Sequence, residues 1–259
     1  MDFVHTLEHH LLDHVYFRLN LRGLSLPVSR HSVMMWMAAG LAVATFTWIA
    51  RSARAGRRSL ALGAAEGLAL FVRDEIVLPN LGAEGRKYLP YFLSLFVFIL
   101  FSNLLGMLPF DILKFAGAPE IGGTATGNIA VTLGLALTTF AMINIAGVKE
   151  QGFVHYIQGL VPHGMPWWLL PLMYPIEILG LFTKSFALCI RLFANMIAGH
   201  IVILAFLALI FLFNKLWVAP MSVAAALGIS MLELFVAFLQ AYIFTLLSAI
   251  FVGGAVHSH

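Results

Sequence analysis

Residues 167–213 read WWLLPLMYPIEILGLFTKSFALCIRLFANMIAGHIVILAFLALIFLF; after a break at Asn214-Lys215 the chain resumes as LWVAPMSVAAALGISMLELFVAFLQAYIFTLLSAIFVGGAV over 216–256. A membrane-spanning helix needs roughly 20 mostly apolar residues. These two segments hold 47 and 41 residues. At 1.5 Å per residue the first would extend roughly 65–70 Å as one helix, about twice the thickness of the hydrocarbon layer. Each segment is therefore either two spans or one very tilted helix. No polar loop interrupts either one, which favours a hairpin of two long, strongly tilted helices over 167–256.

Three further regions upstream meet the length criterion: residues 32–50, 89–108 and 126–148. Of the 259 residues, 61% are hydrophobic and only 10% charged. A soluble domain would carry about a quarter charged residues. The mean hydropathy is +0.94. The fold class that follows is an all-α polytopic membrane protein with about five transmembrane helices. Residues 59–80 are apolar but punctuated by Glu66, Arg73, Asp74 and Glu75, which reads as an interfacial amphipathic helix rather than a span.

Basic residues set the expected orientation. The stretch RSARAGRR (51–58), with Arg73, Arg86 and Lys87, supplies seven positive charges; the N-terminal tail supplies three, at Arg18, Arg22 and Arg30. The expected organisation is an external N-terminal segment over 1–30 and one membrane-embedded helical domain over 31–259. Within that domain, 51–87 form a cytoplasmic loop with the amphipathic helix. The loop over 109–125 falls outside by alternation; it holds Asp111, Lys114 and Glu120. The first thirty residues mix His, Asp, Glu and Arg with Leu and Phe, unlike a signal peptide, and read as mature sequence.

Other classes are disfavoured. One cysteine, Cys189, leaves no internal disulfide, and it reads as a packing residue. No basic tract interleaved with aromatics points to nucleic acid. No Gly-rich phosphate loop followed by Lys and Ser or Thr occurs, so nucleotide chemistry would belong to partners, and no cofactor is expected. Inverted halves with matching broken helices, common in secondary transporters, are not visible. His5, His9, His10 and His14 contain two i, i+4 pairs, but a polar surface helix explains them better than a metal site. Trp167 and Trp168 read as an interfacial anchor.

Ionisable groups at membrane depth are costly and mark function. The first long helix carries Glu177, Lys184, Arg191, Asn195 and His200; the second carries Glu233 and Gln240. At 100° per residue, 177, 184, 191 and 195 fall within about 40°, one polar stripe, with His200 about 180° from Arg191. Glu233 and Gln240, seven apart, share a face. Arg191 sits in ALCIRLFA (187–194), with no acid in the eight positions after it. Its guanidinium needs a partner, and a carboxylate on another subunit is the natural candidate. An internal Glu177–Lys184 salt bridge is the plainer reading of the stripe, and a static hydrogen-bonded pair that of His200 with Glu233.

The stretch RLFANMIAGH (191–200) resembles the hallmark motif of the subunit a family of F-type ATP synthases, and LELFVAFLQAYIFTL (232–246) resembles that family's last helix. PHGMP (162–166) and SNLLGMLP (102–109) are also similar to family patterns. The resemblance covers most of 88–252; the first 85 residues match in general plan only. It implies that Arg191 is the essential ion-translocation arginine facing a ring carboxylate, with Asn195 and Gln240 as polar neighbours. It implies that His200 and Glu233 form a coupled pair in the external half-channel, and that Glu177 lies on the cytoplasmic access path. Many bacterial members carry an acid where Gly106 or Asn128 stands here, a departure bearing on the external channel.

The implied function is a proton-channel stator of a rotary ATP synthase in a bacterial inner membrane, non-catalytic itself. The implied partners are the c-ring, the subunit b peripheral stalk and the rest of the complex. A sodium-translocating version, a self-contained ion transporter and a purely structural anchor are the competing readings.

Overall fold

The computed structural model describes residues 15–21, 24–56, 59–108, 124–159, 167–213 and 217–256, with side chains from Ser29 onward except at Trp167, Leu170 and Phe211. The N-terminal histidines, most of the 109–125 loop, the 162–166 motif, the side chain of Trp167 and the 214–215 break lie outside the described residues.

In chain order the elements are strands β1 (Val15–Leu21) and β2 (Leu24–Ser29), then helices α1 (Arg30–Arg54) and α2 (Leu60–Phe71). A π turn (Val72–Val77), the short α3 (Leu78–Leu81) and a 3-10 turn (Ala83–Tyr88) lead into α4 (Leu89–Met107). Another 3-10 turn (Ala125–Gly127), α5 (Ile129–Gln151), α6 (Phe153–Gly159) and the turn Trp167–Leu169 precede the two long helices, α7 (Leu170–Phe213) and α8 (Val218–Val256). Among the described residues, five helical stretches are long and apolar enough to cross a membrane: Arg30–Arg54, Ala83–Met107, Ile129–Gln151, Pro171–Ile210 and Val218–Val256. The all-α polytopic class and the number of spans are as the sequence predicts. One element was not foreseen: β1 and β2 pair antiparallel, Leu21 opposite Leu24, within the segment read only as an N-terminal tail.

Helix starts follow from local chemistry. Ser29 Oγ accepts from the Ser32 amide at 3.4 Å, Ser59 Oγ from the Leu62 amide at 3.2 Å, and Asn128 Oδ1 from the Ala130 amide at 2.8 Å. Each side chain satisfies an amide that has no partner within its helix. Arg51 and Arg54 occupy the last turn of α1, where positive charge meets the negative end of the helix dipole. The π turn widens the helix so that Val72, Ile76 and Val77 all bury while Asp74 and Glu75 stay exposed. There Arg73 grips Asp74 through two hydrogen bonds, of 2.7 and 3.0 Å, which holds the Asp74 carboxyl below its usual range. The run from α2 to α3 is not among the spanning candidates, in keeping with its reading as a helix that does not cross.

The long helices are continuous, with 44 residues in α7 and 39 in α8. Neither divides into two spans. Pro175 lies inside α7, where it withdraws one amide from the ladder near the helix start.

The chain forms two compact units, each assembled from three separate stretches. The first comprises residues 1–45, 98–131 and 192–240. Its core joins Met34 and Ala38 of α1, Ile99, Ser102 and Asn103 of α4, Leu192 and Met196 of α7, and Ala237 of α8, all at most 1% exposed. Thr126 Oγ1 donates to Asn103 Oδ1 at 2.8 Å, and Asn103 Nδ2 donates to the Ala237 carbonyl at 3.4 Å, so Asn103 is paired across elements, whereas Ser102 Oγ beside it is buried without a partner.

The second unit comprises residues 46–97, 132–191 and 241–259. Phe92 and Phe96 of α4, Ile143 of α5, Cys189 of α7 and Phe244 of α8 are fully buried within it. Cys189 packs beside Thr132 Oγ1 at 3.4 Å, as a packing residue should. At one end, Lys87 Nζ lies 2.6 Å from Glu150 Oε1 and 3.1 Å from Glu84, while Tyr88 Oη donates to the same Glu150 oxygen at 2.8 Å. This cluster ties the start of α4 to the end of α5.

Candidate functional site

In the first unit α7 and α8 run antiparallel, as their paired residues show. Asn195 Nδ2 donates to Gln240 Oε1 at 2.9 Å, and five residues further along α7 His200 meets Glu233, seven residues earlier on α8. The shared face expected for Glu233 and Gln240 is real: both are buried and both receive a partner from α7. Gln240 Nε2 is buried with no hydrogen-bond partner.

The His200 ring is surrounded by oxygens. Nδ1 lies 3.0 Å from the Met196 carbonyl and 2.9 Å from Glu233 Oε1; Nε2 lies 3.3 Å from the Gly106 carbonyl. Glu233 Oε1 makes no aligned hydrogen bond. Nδ1 points along its own helix to Met196, and the carboxylate contact is one of charge proximity. Carbonyls only accept, and a neutral imidazole donates from one nitrogen alone. Whichever ring nitrogen carries the proton, a carbonyl acceptor faces it.

Two glycines permit this geometry. A Cβ on Gly199 would stand 2.7 Å from Glu233 Oε1 and 3.0 Å from its Cδ, so only glycine lets the carboxylate lie against α7 there. A Cβ on Gly106 would fall on the Thr124 side chain. That explains the departure noted in the sequence: no acid fits at Gly106. Asn128, the other departing position, caps α5.

The second unit holds the remaining members of the stripe. Arg191 and Lys184 line an open groove of about 570 Å³ with Thr183, Ala187, Leu247 and Phe251. Glu177 and Lys184 line a neighbouring groove of about 390 Å³ with Tyr156 and Gly254. Lys184 Nζ stands 5.8 Å from the centroid of the Phe251 ring, within cation–π range. Among the described residues Glu177 and Lys184 form no ion pair with each other, contrary to the internal salt bridge that their spacing allows.

Arg191 is exposed, and among the described residues it makes neither a hydrogen bond nor an ion pair. Its own helix presents Ile176, Leu179, Phe182, Phe186 and Ile190 to the outside as well. A bare guanidinium thus stands on an apolar surface.

The family model described as ATP synthase A chain matches residues 32–253. The chain belongs to this family. Among curated relatives, ATP synthase subunit a of Myxococcus xanthus is 48% identical over 242 residues, covering 91% of this chain and 76% of that protein. ATP synthase subunit a 2 of Chlorobaculum tepidum is 42% identical over 267 residues, 95% of this chain and 71% of that protein. ATP synthase subunit a of Anaeromyxobacter dehalogenans is 45% identical over 240 residues, 90% of this chain and 59% of that protein. Membership in the ATP synthase A chain family, with five apolar helices, makes this a multi-pass membrane protein of ATP synthesis and ion transport.

Sequence reasoning located Arg191, Asn195, His200, Glu233 and Gln240, and the structure brings the last four together in two pairs. It missed Gly199 and Thr124, and it singled out Gly106 as a departure from the family pattern without the Thr124 contact that accounts for it.

Proposed function

We propose that this chain is the membrane stator through which protons load and unload carboxylates on a rotating ring of small subunits in an ATP synthase. The observation that carries the reading is Arg191: an exposed, unpaired guanidinium on an apolar helix face. Such a charge is expensive in lipid unless it meets a counter-charge. No carboxylate of the described chain supplies one, so the partner is a ring carboxylate arriving from outside.

The mechanism follows from electrostatics. A carboxylate desolvated in lipid stays protonated, and a nearby cation favours its ionised form. Arg191 therefore favours release of the proton, to the cytoplasmic path, from each carboxylate that approaches it, and holds the resulting anion. His200 and Glu233 form the external path that reloads the carboxylate, which then enters lipid as a neutral acid. Glu177, in the groove beside Lys184, serves the cytoplasmic path, and Asn195 with Gln240 keep the neighbourhood of Arg191 polar. Because the guanidinium does not deprotonate, Arg191 also blocks a direct leak between the two paths. Each charge that crosses releases about 2.3 kcal/mol per 100 mV, available for rotation only while that shortcut is closed.

The His200–Glu233 pair supports protons rather than sodium as the transported ion, since its donors and acceptors suit proton exchange. The seven basic residues over 51–87 support a cytoplasmic loop there and an external N-terminus, in a bacterial inner membrane. The c-ring, the subunit b stalk and the remaining complex are the partners on this reading.

Cross-linking tests the ring contact. Ala187→Cys and Ala194→Cys place thiols on the exposed face beside Arg191, whereas Leu188→Cys and Leu192→Cys are buried. The exposed pair should form disulfides with cysteines placed near the ring carboxylate, and the buried pair should not. Cross-linking confined to the buried positions would overturn the assignment of this face.

A further inference from the structure

The first unit contains a chain of contacts that starts far from His200 and ends on it. His31, in the first turn of α1, is buried, and its Nδ1 lies 2.8 Å from the Thr124 carbonyl. A carbonyl only accepts, so Nδ1 carries the proton and donates. The same carbonyl accepts from the Gly127 amide at 3.0 Å, which closes the turn that opens α5. Thr124 in turn presses its side chain onto Gly106, where a Cβ would collide with it. The Gly106 carbonyl stands 3.3 Å from His200 Nε2.

We propose that His31 is a positioning residue for the His200–Glu233 pair, acting through Thr124 and Gly106. The inference rests on the relay role given to that pair above. Its physical basis is that each contact fixes the next. The His31 bond sets the height of the 124–127 turn against α4. The Thr124 side chain, seated where Gly106 has none, fixes the backbone of α4 at that point. The Gly106 carbonyl, so fixed, holds one nitrogen of a ring whose other nitrogen faces Met196 and Glu233. Buried close packing passes such a displacement on because the gaps are too small to absorb it. Without the His31 donor the turn rises from α1, the Gly106 carbonyl shifts, and the His200 ring loses the acceptor opposite Glu233. Asn103 pins the same turn from a second side through Thr126, so loss of the His31 bond loosens the turn without unfolding it.

The test uses the whole ATP synthase in inverted membrane vesicles, at matched assembly, reading ATP-driven proton uptake. His31→Leu keeps volume and removes the donor; His31→Asn keeps a donor near the position of Nδ1. Loss of one net hydrogen bond's worth of positioning lowers the rate about threefold to tenfold in His31→Leu, and His31→Asn restores most of it. Thr124→Ser, which trims the methyl against Gly106 and leaves His31 alone, is the second variant and should also lower the rate. Uptake at the wild-type level in both His31→Leu and Thr124→Ser overturns the proposal, as does a His31→Asn variant as slow as His31→Leu. Wild-type vesicles run alongside: if they do not pump protons, the functional reading itself fails, an outcome distinct from failure of the His31 role.

Discussion

Replacing Gly199 by alanine adds a single methyl group where the structure has no room for it. The new Cβ would stand 2.7 Å from Glu233 Oε1, whereas ordinary contact begins near 3.4 Å, so the carboxylate must retreat by at least 0.7 Å. Glu233 is 6% exposed, so its carboxylate moves among packed neighbours rather than into solvent. Its contact with His200 Nδ1, now 2.9 Å, lengthens beyond hydrogen-bond range as the carboxylate backs away. A misplacement of about 1 Å between reacting groups can cost about a hundredfold, so the retreat should slow proton transfer about tenfold or more. The assay is ATP-driven proton uptake in inverted vesicles, normalised to assembled complex. Gly134→Ala on α5, where an added Cβ meets nothing within 4 Å, is the control. Uptake by Gly199→Ala equal to that of Gly134→Ala would refute the claim that the His200–Glu233 contact limits the rate.

Two further outcomes follow from the same geometry. Gln240→Leu removes the acceptor of Asn195 Nδ2 at 2.9 Å; one net hydrogen bond of about 0.5–1.5 kcal/mol should translate into a twofold to tenfold fall in uptake with assembly retained, and unchanged uptake would remove the pair from the pathway. Thr126→Ala strips the bond to Asn103 Oδ1 and leaves that fully buried oxygen bare, so a loss of about 1–3 kcal/mol should appear as a lower midpoint when the purified complex is heated, and an unmoved midpoint would contradict it.

Much of the fold was legible because a membrane helix announces itself by length. The 44 and 39 residues of α7 and α8 appear in the sequence as two apolar runs without a polar loop, and they are single helices. The polar residues were legible for the complementary reason that ionisable groups are rare at membrane depth. Their pairing was less so. Spacing sets His200 opposite Arg191, yet Asn195 and His200, about 140° apart on α7, both reach α8, because Gln240 and Glu233 carry side chains long enough to span the difference. Gly199 could not be read at all, and Gly106 stood out as a departure from the family pattern with its physical reason hidden. Each is small because of a side chain on another element, Thr124 in one case and Glu233 in the other, and periodicity along one helix contains no trace of either. The β1–β2 hairpin went unread because two short strands carry a weak pattern beside five long apolar helices. The contact between His31 and Thr124 joins residues 93 apart in the chain, a distance over which local sequence has no say.

The central claim is that Arg191 lacks a partner among the described residues of its own chain because its partner is a ring carboxylate. ATP-driven proton uptake into inverted vesicles, with sodium omitted, compares wild type with Arg191→Ala at equal assembly. The account predicts uptake in wild type and none in the variant; equal uptake in both would contradict it.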